Sequence, residues 1–566
     1  MARHELDPAH RERTLRHLAE REYDVIVIGG GVTGAGAALD AVSRGLSVAL
    51  VEAADLANGT SSRSGKLFHG GLRYLKQLNF SLVREALKER DLMVGSLCPH
   101  LVSPERFTFP FRHWWERVYI GLGVLLYDLL RLTVTRTVKG HRHLSRKTVR
   151  RELPALGPGV RGGVSFYDVR VDDARHTMML ARTAAGLGAD VATRTEVTGF
   201  LRDGERLTGV VARDAESGAD VPIRGRAVVN ATGVWAERVQ ELAGVASLSV
   251  TAAKGIHLVV PADRIDLRTG LIAQTSDSIF LIRRWFGHWL MGTTDTKWDH
   301  TRDDPAPTGS DVDYLLAQAN RWLEKPLTRE DVVGVYAGLR PLVSGKGATA
   351  ALSRDHTVAE GPAGVFTVVG GKYTTYRIMA RDAVDAAARH LGGDVPASVT
   401  ERIPVIGAEG LAAVAAQRAL LAERHGLTPQ WIGHLLDRYG ALALDLLDLI
   451  AERPELAGPI DGAPGYLAVE AVYAATAEGA VHLDDVLVRR TRIFMETADH
   501  GLTAAVHVAA LIAPALGWDD ERREWEIERY GAEMAADLAA VAALTDDEAM
   551  AARAAVRPAP WTVRPR

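Results

Sequence analysis

The stretch YDVIVIGGGVTGAGAALDAVSRGLSVALVE, residues 23–52, decides the fold. DVIVIGG (24–30) is a short β-branched run ending in glycine, GAGAALDAVSRG (34–45) has helical patterning, and LSVALVE (46–52) is a second strand-like run. Strand, helix and strand in about 30 residues make a βαβ unit, in which a crossover helix joins two parallel strands. Gly29, Gly31 and Gly34 stand at the first junction as G-x-G-x-x-G. The first glycine permits the tight turn, the second lets backbone approach a pyrophosphate, and the third allows close helix–strand packing. The helix N-terminus adds free N–H groups and a positive dipole end for phosphates. Glu52 closes the second strand 21 residues after Gly31, where a carboxylate accepts ribose hydroxyls. A lone glycine motif reads as an ordinary turn. Strand, glycines, helix, second strand and terminal acid in register read as a dinucleotide site.

An acid at position 52 argues against NADP and leaves NAD and FAD open. Two later segments favour FAD. VVNATGVWA (228–236) is an apolar strand ending in Ala231-Thr232-Gly233, and GVFTVVGGKYTTYR (364–377) is another, ending in Gly370-Gly371 and entering a helix. A cofactor approached by three distant glycine-bearing segments suits a long, buried FAD better than an exchangeable nicotinamide.

The rest of the chain sets bounds. Its 566 residues exceed one ordinary core, so two or three domains are expected. Lys and Arg number 67 and Asp and Glu 71, a net charge of −4, so no global basicity points to nucleic acid. Cys98 is the only cysteine, which excludes a disulfide framework and fits a reducing cytoplasm. The charged opening MARHELDPAHRERTLRHLAERE has no apolar core of a secretory signal. No His, Cys and carboxylate cluster has metal-ligand spacing, so no metal is expected. After about residue 400 the chain turns alanine- and leucine-rich at helical spacing.

The run TSSRSGKLFHGGLRYL (60–75) with LVREALKERDLM (82–93) resembles the flavin-proximal segment of bacterial FAD-dependent glycerol-3-phosphate dehydrogenases. KGIHLVV (254–260), AGLRPLVS (337–344), LSRDH (352–356) and GGKYTTYR (370–377) follow in the family's order, and DDVLVRRTRI (484–493) is similar more weakly. Arg63, Gly65 and Tyr373 depart from that pattern. The resemblance implies an α/β FAD-binding Rossmann-like domain of the D-amino-acid-oxidase type, an interleaved mainly antiparallel β substrate domain, and an all-α C-terminal domain. On this reading residues 20–99, 165–250 and 335–398 form the FAD domain, 100–164 and 251–334 the substrate domain, and 399–550 the helical domain. The implied reaction is oxidation of sn-glycerol 3-phosphate to dihydroxyacetone phosphate, by hydride transfer from C2 to flavin N5, with electrons passed to membrane quinone.

A substrate with a dianionic phosphate and a secondary alcohol needs several cations and one base. Following the family pattern, Arg340 and Arg354 take the phosphate through their planar forks. Arg73 and Tyr74 lie near the flavin and the substrate hydroxyls. His257 leads as base for the C2 hydroxyl, because imidazole titrates near neutral pH. His69 is a second candidate, better suited to supporting the cofactor loop. Lys372 stabilises a developing alkoxide or the reduced flavin, a task Arg340 can share. The cofactor contacts expected are Gly29, Gly31, Gly34, Glu52, Thr60, Ser61, Ser62, Lys66, His69, Gly70, Gly71, Ala231, Thr232, Gly233, Gly371, Lys372 and Thr374.

Residues 131–151 hold eight Lys or Arg and no acid, and follow Trp114, Trp115 and the apolar stretch 118–130. Aromatic, apolar and basic elements side by side suit an anchor on an anionic leaflet, although a solvated basic face fits equally. The expectation is a cytoplasmic homodimer, peripheral on the cytoplasmic face of the membrane. The alternatives are a glycerol-3-phosphate oxidase using O₂, an amine or amino-acid oxidase of the same fold, and a non-catalytic flavoprotein scaffold.

Overall fold

The computed structural model describes residues 4–71, 80–132, 138–204, 206–275, 279–344, 355–361 and 364–556. The βαβ unit is as expected: strand Glu22–Ile28, helix Val32–Ser43 and strand Val48–Val51, with the two strands parallel. Four β-branched residues in Val25–Ile28 are buried, so this is a central strand of a sheet covered on both faces. The sheet runs His356–Glu360, Val365–Gly370, Asp220–Asn230, Glu22–Ile28, Val48–Val51 and Asp190–Ala192, parallel except at its first edge. A hairpin, Thr195–Asp203 and Arg206–Asp214, extends from Asp220–Asn230. Helix Val32–Ser43 packs against helices Asp173–Gly186 and Tyr376–Leu391. Its small residues allow this: a Cβ on Gly36 would stand 3.0 Å from the Tyr376 ring.

A second, ten-stranded and mostly antiparallel sheet carries the other half of the site. Its spine is Val250–Pro261, paired along one side with Gly334–Val343 and along the other with His288–Gly292. Two of its strands fall across the segment boundaries expected from sequence. Gly162–Val171 pairs with Val102–Phe111, and Gly334–Val343 pairs with Val250–Pro261, so both belong to the second sheet. The resemblance implies that residues 335–398 belong with the FAD domain. The ladder of Gly334–Val343 places this strand in the second sheet.

Beyond residue 400 helices dominate, including Pro429–Tyr439, Ala468–Ala477, Leu502–Leu516 and Asp520–Ala542. One short hairpin, Pro459–Ile460 with Ala463–Leu467, interrupts them. Helix Trp114–Leu132 is amphipathic in an unusual sense. Val124 and Tyr127 are buried beneath it, while Trp115, Val118, Tyr119, Leu122, Leu125 and Leu129 are exposed along the outer face. Among the described residues no helix is long and apolar enough to cross a membrane.

Candidate active site

A cavity of about 1320 Å³ runs between the two sheets, from Glu52 past the glycine turn to His257, Arg340 and Lys372. It exceeds the usual range of small-ligand pockets, about 300–1,000 Å³, and suits a long dinucleotide with room for a second molecule. At its far end the Glu52 carboxylate accepts N–H bonds from Gly30 (2.6 Å) and Ala54 (2.8 Å), and burial raises its pKa. Gly29 takes φ +109°, and a Cβ there would stand 2.9 Å from the Ala231 carbonyl oxygen. A Cβ on Gly34 would overlap the Gly29 carbonyl oxygen at 1.8 Å, which is the close packing assigned to the third glycine.

Gly31, Thr60, Ser61, Ser62, His69, Gly71, Ala231, Thr232, Gly233 and Gly371 also line the cavity. Ser61 Oγ accepts from the Val32 N–H (2.9 Å) and ties the 60–65 loop to the glycine turn. Four expected contacts act from behind the wall. Gly34 packs helix on strand, and Gly70 faces the Tyr127 hydroxyl, 2.0 Å from where its Cβ would stand. Thr374 Oγ1 accepts from the His69 N–H (3.2 Å). The Lys66 amine is fully buried and donates to Asp173 and the Ser62 carbonyl, both at 2.8 Å. Arg73, Tyr74 and Arg354 lie outside the described residues.

The second sheet presents His257 and Arg340 on one face. In the antiparallel register His257 opposes Tyr336, Gly255 opposes Gly338, and Ala253 opposes Arg340. Side chains two apart share a face of a strand, so these six point the same way. Glycine makes that face shallow. The Arg340 guanidinium lies over Gly255, 2.3 Å from where a Cβ would stand, and the His257 ring occupies the equivalent space of Gly292. At Gly338 the carbonyl of Arg63 takes that space, so the 60–65 loop crosses the sheet beside His257.

The imidazole stacks on Tyr336 with ring centroids 5.0 Å apart, and its Nδ1 has no hydrogen-bond partner among the described residues. Burial is the main cause of a pKa well below 6.5, reinforced by Arg283, Arg340 and Lys66. Arg340 Nη2 donates to Thr293 Oγ1 and the Thr294 carbonyl, both at 3.0 Å, while Asp295 lies 3.5 Å from Nη1. Lys372 lines the same cavity.

Sequence reading missed a buried charge cluster behind this loop. Asp173 accepts from the Ser64 N–H (3.0 Å), from Lys66, and from Arg492 of the helical domain. Arg492 also binds Asp172 (2.7 Å) and donates to the Ser62 carbonyl (3.3 Å), while Arg490 grips Asp55 two-handedly at 2.7 and 2.8 Å. Burial lowers the Lys66 pKa to about 8, with Arg492 adding to the fall and Asp173 opposing it. The departing Tyr373 has a role here too, donating to the Asp173 carbonyl (2.7 Å). The one visible signal was RRTR at 489–492; Arg489 pairs with nearby Asp484 and Asp485, but Asp55, Asp172 and Asp173, which Arg490 and Arg492 bind, lie hundreds of residues away.

A βαβ glycine turn, a carboxylate at the second strand's end and a long cleft closed by a second sheet define a dinucleotide-dependent oxidoreductase. Residues 24–377 match the family described as FAD dependent oxidoreductase, and residues 398–523 the C-terminal domain of alpha-glycerophosphate oxidase. The glycerol-3-phosphate dehydrogenase of Mycobacterium leprae is 50% identical over 537 residues, covering 94% of this chain and 92% of its own. The mitochondrial glycerol-3-phosphate dehydrogenase of Bos taurus is 33% identical over 552 residues, covering 92% of this chain and 74% of its own. The structure of the glycerol-3-phosphate dehydrogenase from Bacillus halodurans, complexed with FAD, matches with TM-score 0.78 at 28% identity, covering 94% of this chain and 98% of that one. The chain belongs to the FAD-dependent oxidoreductases, in the glycerol-3-phosphate dehydrogenase family.

The residues fit FAD: Gly29 allows the tight turn against Ala231, Gly31 lets backbone approach a pyrophosphate, and residues of both sheets line the cavity. Gly34→Val is expected to yield a colourless protein, because its side chain must push the Gly29 carbonyl out of the turn; the absorbance spectrum of the purified variant checks this. Asp173→Asn leaves Lys66 buried without its carboxylate and Arg492 with Asp172 alone, and is expected to cost about 3–5 kcal/mol. A lowered denaturation midpoint of the holoenzyme, with FAD released in the same transition, is the expected result.

Proposed function

We propose that this protein oxidises sn-glycerol 3-phosphate to dihydroxyacetone phosphate and passes the electrons to a membrane quinone. The observation that carries the reaction is that His257 and Arg340 share one face of the second sheet along a cavity that Lys372 also lines. FAD, when bound, supplies the two-electron acceptor that takes the hydride from C2. His257, held neutral by burial, takes the proton of the C2 hydroxyl. Arg340 binds the phosphate or the developing alkoxide with its fork, and Lys372 adds a second positive charge. Tyr336 fixes the plane of the imidazole, and the glycine-lined face lets substrate lie between sheet and cofactor. Arg73 and Arg354 complete the cation set by family pattern, with Tyr74 near the flavin and the substrate hydroxyls. Anaerobic mixing with glycerol 3-phosphate, followed at the oxidised-flavin band, tests the reaction directly.

The acceptor reading rests on helix Trp114–Leu132. Its exposed apolar residues recur at i, i+3, i+4, i+7, the spacing of one helix face. Arg142, Arg146, Lys147, Arg150 and Arg151 are exposed nearby in sequence; residues 133–137 of the basic run lie outside the described residues. An apolar stripe beside exposed cations suits the surface of an anionic leaflet, where quinone is dissolved. Leu122→Glu with Leu125→Glu is expected to abolish flotation with anionic vesicles while leaving flavin reduction by glycerol 3-phosphate unchanged. Retained flotation would remove the helix from this role.

A further inference from the structure

Away from the cofactor cleft, a smaller pocket of about 230 Å³ opens where strands Val102–Phe111, Gly162–Val171 and Ile279–Trp285 come together. Arg106, Arg170, Arg268 and Arg284 line it, with Glu105 and Trp289. Arg106 is paired with Glu152. Arg170, Arg268 and Arg284 form no direct ion pair among the described residues, although Glu105 attracts Arg170 and Arg284 and Asp437 attracts Arg170. Two of them lie on aromatic faces instead, Arg170 4.6 Å from the Phe286 centroid and Arg284 4.8 Å from that of Trp289. The single acid is already committed: Glu105 Oε1 accepts from the Arg284 N–H (2.7 Å), and Oε2 faces the buried Arg283 at 3.8 Å.

Four arginines around one small pocket outnumber the one acid in its lining, and a bound anion relieves that excess of positive charge. The planar fork suits a phosphate, which accepts paired N–H bonds from more than one arginine. The volume lies below the range of drug-sized pockets and suits a single small anionic group. We propose that this pocket is a second anion site, binding inorganic phosphate or the phosphate group of a small ester or lipid headgroup, separate from the redox cleft. It also adjoins the redox machinery. Arg283, which Glu105 faces on one side, is among the charges that lower the proton affinity of His257 on the other.

The test uses the FAD-loaded enzyme and its Arg268→Glu/Arg284→Glu variant, both changes being at exposed side chains. Equilibrium dialysis with radiolabelled inorganic phosphate at low ionic strength counts bound anion per chain. Flotation with phosphatidic acid against phosphatidylglycerol vesicles reads headgroup binding. The expected result is a variant with unchanged flavin content and reduction rate that binds one phosphate fewer per chain. Loss confined to a preference for phosphatidic acid would identify a headgroup as the source of the same phosphate. A variant that matches the parent in both dialysis and flotation overturns the site. Arg268→Gln/Arg284→Gln, which removes the charges without reversing them, repeats the measurement should the reversed variant lose FAD.

Discussion

His257→Asn lowers the rate of flavin reduction by glycerol 3-phosphate about 10²–10⁴-fold, the range for removing a general base, while FAD stays bound. The retention of FAD follows from position: the ring sits on the substrate sheet, over Gly292 and against Tyr336, not in the glycine turn. The lowered proton affinity decides which form of the ring is present. Burial and three neighbouring cations hold the imidazole neutral well below its ordinary value, so at pH 7 it is ready to accept a proton. The sign of the pH dependence is then fixed. The neutral form is the competent one, so the acidic limb of kcat/KM belonging to His257 lies below pH 6.5 and is missing in the asparagine variant. A parent enzyme whose His257-dependent limb lies above pH 6.5 would contradict this assignment. Single-turnover rates unchanged by the substitution would pass the role of base to His69 or Lys372.

Arg340→Ala lowers kcat/KM for glycerol 3-phosphate on the order of 10²–10³-fold, the loss typical of one preorganised donor in a water-poor site. Its guanidinium is fixed by Thr293 and by the Thr294 carbonyl, and Gly255 leaves it a flat seat two residues along the strand from His257. Arg340→Lys recovers only part of the loss, because an ammonium cannot reproduce the planar fork. Steady-state rates with glycerol 3-phosphate and an artificial acceptor measure both variants, and an alanine variant with intact kcat/KM would remove Arg340 from the substrate site.

Much of the cofactor half was legible in sequence because its signals are local. Gly29, Gly31, Gly34 and Glu52 lie within 24 consecutive residues, and each has a backbone reason to be what it is. The substrate half is assembled by strand register across long separations. KGIH and AGLR each read as an isolated motif, yet only their antiparallel pairing sets Gly255 opposite Gly338 and His257 opposite Tyr336. Tyr336 and Gly292 were therefore not foreseen, although the alternation K-G-I-H does place Gly255 on the face of His257. Lys66 shows the converse case. A lysine in a flavin-proximal loop reads as a cofactor contact, but its amine turns inward to Asp173, and only the three-dimensional placement of Arg492 explains why two cations share that carboxylate.

The most direct test of the central claim is anaerobic stopped-flow of the purified, FAD-loaded enzyme against sn-glycerol 3-phosphate, watching the oxidised-flavin absorbance. Rapid bleaching in the parent, slowed in His257→Asn with flavin content unchanged, is the predicted result. A flavin that stays oxidised with saturating glycerol 3-phosphate would contradict the account, leaving the fold and its cofactor but removing the substrate.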